Sequence, residues 1–306
     1  MSDKTLIVIT GPTAVGKTHV AVKLAHYFHT EVISCDSRQI YKELRIGTAV
    51  PDSEELNGIR HHFIRNKSIH QYYNASMYEQ EVMELLNNLF SEYDAVIMAG
   101  GSGMYIDAVC RGIDDLPSVD NDLRKQLQEK FKAEGIESLR LMLRKLDPEY
   151  YRSVDLKNSR RILKALEISL ITGEPYSSLL THRNKIRNFK IIKIGLDIPR
   201  NKLYLKIDMR INRMIELGLV EEARTCFRYK SLNALNTVGY RELFSYFEGT
   251  VTLYEAIDLI KRNTRKYARR QLTWLRRYSD MEWFDPDNIN AIRDYIKKKI
   301  TKVTSE

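Results

Sequence analysis

The chain has 306 residues, 43% hydrophobic and 29% charged, with 49 Lys and Arg against 40 Asp and Glu for a net charge of +9. That is a globular balance at a length for about two domains, or one with a large insertion, and it excludes a largely disordered chain. No apolar run approaches the ~18 residues of a membrane helix, and Cys35, Cys110 and Cys226 are too few and scattered for a disulfide framework or a zinc knuckle. Met1-Ser2-Asp3-Lys4-Thr5 has none of the layout of a signal peptide, so the expectation is a cytoplasmic protein with no membrane partner. Charge is unevenly spread. Residues 1–100 carry 9 basic and 12 acidic side chains (net −3), residues 101–200 carry 19 and 14 (net +5), and residues 201–306 carry 21 and 14 (net +7). A polyanion partner on the last two thirds would explain this, and so would solvated helix faces.

In chain order, Leu6-Ile7-Val8-Ile9 is a short branched apolar run that reads as a buried parallel strand. His19 to His29 has helical spacing, Glu31–Ser34 is a second strand ending at Asp36, and Asn74 to Phe90 is a long amphipathic helix. Ala95–Ala99 is a third strand, running into Gly100-Gly101-Ser102-Gly103. From Leu116 to Phe189 no strand is predicted. Asp122–Ala133 and Ser138–Leu146 are helical, Asp147-Pro148 opens another helix, and Asn158 caps one through Ile171 that Gly173 and Pro175 stop. Lys190–Leu196 restores strand character, and helices are expected from there to the C-terminus. The predicted architecture is α/β, a P-loop doubly wound parallel sheet over 1–115 and 190–306, interrupted by an all-helical insertion at 116–189.

Gly11-Pro12-Thr13-Ala14-Val15-Gly16-Lys17-Thr18 satisfies G-x-x-x-x-G-K-[ST] at every fixed position, after a strand and before a helix. Such a loop turns backbone N–H groups onto a diphosphate at a helix N-terminus, with Lys17 reaching the phosphates and Thr18 ligating Mg²⁺. The motif identifies a pyrophosphate binder, not a reaction. Enzymes that act on a γ-phosphate usually keep a metal-binding Asp on a later strand. Here the strand at 95–99 ends in glycine, which lowers the expectation of an ATPase. The acid sits instead at Asp36, after the second strand, where the carboxyl ends of doubly wound strands line one crevice. It is either a turn cap or a group facing whatever the diphosphate carries.

These blocks resemble the tRNA dimethylallyltransferases (tRNA isopentenyltransferases). The resemblance rests on Gly11–Thr18, Asp36–Tyr41 with Gly47-Thr48-Ala49, His61–Ile64, Gly100–Ile106, Arg160-Arg161 before Ala165-Leu166-Glu167, Val238–Glu242 and Arg269–Trp274, in the family's order over almost the whole chain. It implies transfer of a dimethylallyl group from dimethylallyl diphosphate to N6 of adenosine 37, beside the tRNA anticodon, with diphosphate released and Mg²⁺ as cofactor. By the same resemblance Asp36 is the general base or acceptor for the adenine amine. Ser102 stands at the family's threonine, where a hydroxyl helps place that amine, and Arg210 contacts the diphosphate. The tRNA contacts it implies are Asp36, Ser37, Arg38, Gln39, Ser102, Arg124, Arg160, Arg161, Ile162, Leu163, Lys164, Val238, Gly239, Tyr240, Arg241, Arg269, Arg270, Gln271 and Trp274.

Between Lys261 and Arg277 lie eight basic residues, interleaved with Tyr267 and Trp274 and followed by Tyr278. The charges suit phosphates, and the aromatics either stack on unpaired bases or pack in the core. His61-His62 point apart on a strand and read as local hydrogen-bonding groups. Met98, Met104 and Met209 read as packing residues, and Lys297-Lys298-Lys299 as a solvated tail. Two other readings stand beside the main one: an isopentenyltransferase of free adenine nucleotides, and a nucleotide-gated RNA-binding protein. A monomer is expected, since no coiled coil or long apolar patch is evident.

Overall fold

Six strands, all parallel, form one sheet in the computed structural model, which describes residues 4–114, 116–117, 120–181 and 184–301. Met1-Ser2-Asp3, the leading segment discussed above, lies outside the described residues. The strands are β1 (Thr5–Thr10), β2 (Val32–Ser34), β3 (His61–His62), β4 (Ala95–Gly100), β5 (Lys190–Leu196) and β6 (Met281–Phe284), in the spatial order β3-β2-β4-β1-β5-β6. β1 is fully buried, flanked by β4 on one side and β5 on the other. A strand covered on both faces must be apolar throughout, which is why Leu6–Ile9 carries no alternation. From β1 the chain runs to one edge through β2 and β3 and then turns back through β4 to β5 and β6 at the other, so it leaves neighbouring β1 and β4 toward opposite edges. The crevice outside the carboxyl ends of β1, β2 and β4 is therefore the place where a ligand is expected in this architecture.

Helices cover the sheet and are bounded by the caps that the sequence signals. Asn74 accepts from Met77 N at 2.9 Å to start Ala75–Glu92. Asp52 and Thr252 form reciprocal capping boxes with Glu55 and Glu255. Two expectations are corrected. The C-terminal region holds a strand, β6, because Met281-Glu282-Trp283-Phe284 pairs in parallel with β5, four residues that are too few for periodicity to register. Lys297-Lys298-Lys299 is no tail. It lies within the helix Ile289–Thr301, with Lys297 over the Tyr27 ring.

The chain divides into two compact units, Met1–Arg111 with Ile186–Glu306, and Gly112–Lys185. The second holds no strand among its described residues. Its helix Asn121–Leu146 is broken by Gly135 at φ 75°, a left-handed conformation that glycine adopts without a Cβ penalty. Ser159–Thr172 packs on it through a core of Leu127, Leu139, Leu143, Ile162, Ala165 and Leu166. Asp147 is fully buried there and accepts from Tyr150 N (2.8 Å), Ser177 N (2.7 Å) and Ser177 Oγ (2.8 Å). No described helix is long and apolar enough to cross a membrane.

Candidate active site

The loop between β1 and the helix Lys17–Phe28 has the backbone of an anion cradle. Ala14 and Gly16 stand at φ 66° and 110°, and successive residues of mixed handedness turn their N–H groups to one side. A Cβ on Gly11 would lie 2.6 Å from Leu196 O, so only glycine lets the loop start so close to β5. Lys17 Nζ donates to the carbonyl oxygens of Gly11 (3.1 Å) and Pro12 (2.9 Å), which hold the ammonium across the loop. Burial, then the nearby Arg210 guanidinium, push the Lys17 pKa down to about 8, against the opposing pull of Asp36. Arg210, from the helix Arg200–Glu216, donates through Nη1 to Thr13 Oγ1 at 3.3 Å. Its pKa is also lowered by burial, with Asp36 pulling it back up. Two cations thus crowd one concave loop. Each is disfavoured by desolvation, an arrangement that a polyanion would relieve.

Thr18 Oγ1 makes no hydrogen bond among the described residues. It is a hard oxygen of the type Mg²⁺ accepts when phosphate oxygens and waters complete its shell, so the donor set fits that ion. Neither Gly100 nor Gly101 at the end of β4 offers a carboxylate.

Asp36 follows β2 and caps its turn, one of the two readings made of it. Its Oδ1 caps the turn, accepting from Arg38 N (2.9 Å) and Gln39 N (3.3 Å), while its Oδ2 carries no hydrogen bond among the described residues. Its charge is felt by Lys17, Arg210 and Tyr267. Ser102 Oγ accepts from Ser37 N at 2.9 Å and stands 3.1 Å from Ser37 Oγ. β4 and β2 approach this closely because residue 100 is glycine: a Cβ there would meet the Cys35 carbonyl carbon at 2.5 Å. Cys35 N donates to Ala99 O (2.9 Å) and Ser102 N to Cys35 O (3.2 Å), locking the two loops together.

Beside Ser102 opens a cavity of about 420 Å³ walled by Tyr41, Tyr73, Tyr105, Tyr267 and Trp274, with Ser37, Ser102 and Arg270 among its polar groups. Tyr105 stacks on Tyr78 (4.1 Å, 18°), and Tyr78 Oη donates to Ser34 O at 2.8 Å, which stiffens that wall. The volume and the aromatic lining suit a flat apolar group such as a nucleobase. Tyr267, 37% exposed, and partly buried Trp274 line this cavity and are not core residues. Arg270 faces the same cavity, whereas Arg269 lines a separate groove of about 620 Å³ with Arg200, Tyr204 and Arg276.

Several residues expected at the RNA surface have their polar atoms or side chains engaged inside the protein. Gln271 is buried, its amide joining Thr13 N and Gly101 O. Tyr240 is fully buried, donating from Oη to Glu222 at 2.6 Å, and Gly239 is buried beside it. Ile162 is fully buried in the helical core, with Leu163 packed against it. Burial keeps the Tyr240 and Ile162 side chains from any outside partner, whereas Gln271 also lines the cavity beside Ser102. Arg38 donates through Nη1 to Asn233 O (3.0 Å) and Ala234 O (3.2 Å), and Gln39 through Nε2 to Thr48 O (3.1 Å) and Ala49 O (2.9 Å). Arg124 makes a two-point pair with buried Glu167 at 2.6 and 2.8 Å. Lys164 is half-buried, and that burial lowers its pKa. Arg160, Arg161 and Arg241 are exposed, and Val238 is partly exposed.

Met98 is buried as expected, but Met104 and Met209 are 62% and 71% exposed, so neither is a packing residue. His62 pairs with Glu31 at 2.5 Å, and His61 hydrogen-bonds Ile59 O at 3.0 Å. Sequence reasoning missed the tyrosine walls and Glu222. The carboxylate of Glu222 accepts from Arg45 N, Ile46 N and Gly47 N at 2.8–2.9 Å and so fixes the Gly47-Thr48-Ala49 segment. It gave no internal role to Gln271, although the buried face Ala268, Gln271, Leu275 carries an amide among apolar residues, which is a readable signal.

The model of the family described as IPP transferase matches residues 39–278. A tRNA dimethylallyltransferase 2 of Azobacteroides pseudotrichonymphae is 51% identical over 94% of each chain. A tRNA dimethylallyltransferase 1 of Bacteroides thetaiotaomicron is 48% identical over 96% of this chain and 95% of that one. Among solved structures, the full-length tRNA isopentenylpyrophosphate transferase of Bacillus halodurans aligns with a TM-score of 0.72 at 34% identity, covering 98% of this chain and 97% of that one. A eukaryotic dimethylallyltransferase described as acting on tRNA aligns with a TM-score of 0.78 at 26% identity, covering 94% of this chain and 75% of the other. Family match, near-complete coverage and shared architecture agree: the chain belongs to the IPP transferase family.

Proposed function

We propose that this chain transfers the dimethylallyl group of dimethylallyl diphosphate to N6 of adenosine 37 in the tRNA anticodon loop, releasing diphosphate. The observation that carries the proposal is the pairing, across one crevice, of a cationic P-loop with a carboxylate that keeps one oxygen unengaged. Relatives of similar length named tRNA dimethylallyltransferase support the choice of acceptor and donor. The protein works as a monomer in the cytoplasm.

Breaking the allylic C–O bond leaves a diphosphate and spreads positive charge over the allyl system. The loop N–H groups, Lys17 and Arg210 are preorganised where the leaving charge develops, which is the interaction that lowers such a barrier most. Thr18 and the diphosphate oxygens would hold Mg²⁺, which supplies further charge neutralisation on the leaving group. The adenine amine is a weak nucleophile because its lone pair is delocalised into the ring. Asp36 Oδ2 takes the N6 proton as the N–C bond forms, and Ser102 Oγ orients the amine. The tyrosine-walled cavity holds the base after it leaves the loop stack and keeps water from the allyl cation. Exposed Arg160, Arg161, Arg241, Arg269 and Arg270 supply phosphate contacts, which position the RNA.

Mass spectrometry of nucleosides tests this, after unmodified tRNA is incubated with the protein, Mg²⁺ and dimethylallyl diphosphate, with AMP in parallel. A dimethylallyl gain on one adenosine of tRNA and none on AMP is expected. Gain on AMP would make free nucleotides the acceptor. Gain on neither, with tRNA still bound, would overturn the transferase reading.

A further inference from the structure

We propose that Gln271 is a positioning residue that sets the spacing between the diphosphate cradle and the acceptor side of the crevice; this rests on the transferase reading above. Its carboxamide accepts from Thr13 N through Oε1 at 2.9 Å and donates from Nε2 to Gly101 O at 2.9 Å. These partners lie on different loops, after β1 and after β4, and the side chain is only 7% exposed. Residue 101 has to be glycine for this approach, because a Cβ there would run into Gln271 Nε2. Each end of the amide leads to a proposed functional group. Thr13 is also the hydroxyl that receives Arg210, and Gly101 precedes Ser102, whose Oγ holds the Ser37 N–H next to Asp36.

Both loops have other anchors. Lys17 Nζ closes the P-loop onto the Gly11 and Pro12 carbonyls, and the 100–102 turn is tied to Cys35. Gln271 is therefore not the sole anchor of either loop. Thr10 Oγ1 ties the two together at their base by donating to Gly100 O at 2.9 Å, and Gln271 joins them further out, at Thr13 and Gly101, from a third element, the helix Leu253–Leu275. A primary amide is suited to the task, since one planar group offers a donor and an acceptor on opposite corners. Displacement of the amine toward the allylic carbon demands that donor and acceptor be held to a fraction of an ångström, and misplacement by ~1 Å costs about 10²-fold in rate. Binding each substrate alone makes no such demand. The brace should thus appear in the chemical step and hardly in affinity.

The test uses Gln271→Met, which keeps the volume and loses both bonds, and Gln271→Glu, which keeps the acceptor and sets a carboxylate against the Gly101 carbonyl. Single-turnover rates with saturating tRNA and dimethylallyl diphosphate are measured from pH 5.5 to 8.5, with dissociation constants for each substrate and amide hydrogen exchange of the 10–19 segment. For Gln271→Met the rate should fall about 10²-fold while both dissociation constants hold and exchange at Thr13 speeds up. For Gln271→Glu the rate relative to the native protein should rise as pH falls, because a protonated carboxyl restores a donor toward Gly101. A loss confined to tRNA affinity would make Gln271 an RNA contact, and unchanged rates with unchanged exchange would also overturn the brace. Native protein that transfers nothing would sink the transferase reading instead, and the exchange data would still report on the bridge.

Discussion

Three carboxylates, two in the helical unit and one in the sheet unit, differ in how completely their oxygens are engaged. Glu167 in the helical unit has a side chain 3% exposed, and both of its oxygens are taken by Arg124, at 2.6 and 2.8 Å. Buried Asp147 in the same unit is likewise saturated by backbone and hydroxyl donors. Asp36 in the sheet unit spends one oxygen on its own turn and leaves the other without a partner, among two cations whose pKa values burial has lowered. Buried charge ordinarily has to be compensated in full. The two saturated carboxylates are buried and serve the fold, whereas partly exposed Asp36 keeps one oxygen open toward the anion cradle, as the base role proposed for it requires.

The comparison breaks most sharply at Asp36. Asp36→Asn keeps an oxygen for the Arg38 and Gln39 amides but cannot accept the N6 proton, so turnover should drop by ~10²–10⁴ with tRNA and diphosphate binding nearly intact. Asp36→Ala loses the cap as well, which adds about 1 kcal/mol of lost stability, as for other such caps. Rapid-quench transfer assays and thermal melts on the pair separate base from cap. Full activity in the Asn variant would leave Asp36 with the turn alone.

At Glu167 the expected effect is on folding and not on chemistry. Arg124→Ala leaves a buried carboxylate short of its partner and should cost the helical unit roughly 3 kcal/mol, the low end for a broken buried pair because Arg124 is itself 32% exposed. Arg124→Met with Glu167→Leu should recover all but about 1 kcal/mol, since an apolar pair of similar volume avoids the desolvation cost. Hydrogen exchange should report the loss in the 121–172 helices and leave the P-loop segment unchanged. If Arg124→Ala weakens tRNA binding with no loss of protection, the arginine serves the RNA and not the fold.

The same contrast explains what could be read from the chain before any coordinates. The P-loop was legible because its chemistry resides in backbone geometry, and glycine, lysine and threonine at fixed spacing encode that geometry locally. The helical unit was legible as helices through its caps at Asp147 and Asn158 and the glycine stop at Gly173. The crevice was not legible from periodicity, since its parts come from residues 13, 36, 102, 210 and 271 and meet only through the sheet order. Resemblance supplied their roles but not their contacts. It grouped Tyr240 and Ile162 with the RNA surface, whereas both side chains are fully buried. β6 escaped because a four-residue edge strand gains its identity from β5 and not from its own pattern.

The smallest predicted effect concerns the cation facing Asp36. Lys17 in the folded chain loses its proton near pH 8, well below the 10.5 of an unperturbed lysine, so burial of its charge opposes folding below about pH 8. That opposition is relieved between pH 8 and 10.5, where the unfolded chain holds the proton and the folded one does not; Lys17's contribution to stability rises with pH across this window. For ligand binding the sign is reversed. A diphosphate favours the ammonium, so above pH 8 binding must draw a proton onto Lys17, and affinity should fall by at most about tenfold per pH unit. Lys17→Arg keeps its charge throughout and should show none of this dependence, although its flat fork fits the cradle less well than a point charge does. Calorimetric titrations of diphosphate with Mg²⁺ at pH 7 to 9.5, in buffers of different ionisation enthalpy, measure the proton directly. Uptake by the native protein above pH 8 that vanishes in Lys17→Arg assigns it to Lys17, and equal uptake in both would place the titrating group elsewhere in the crevice.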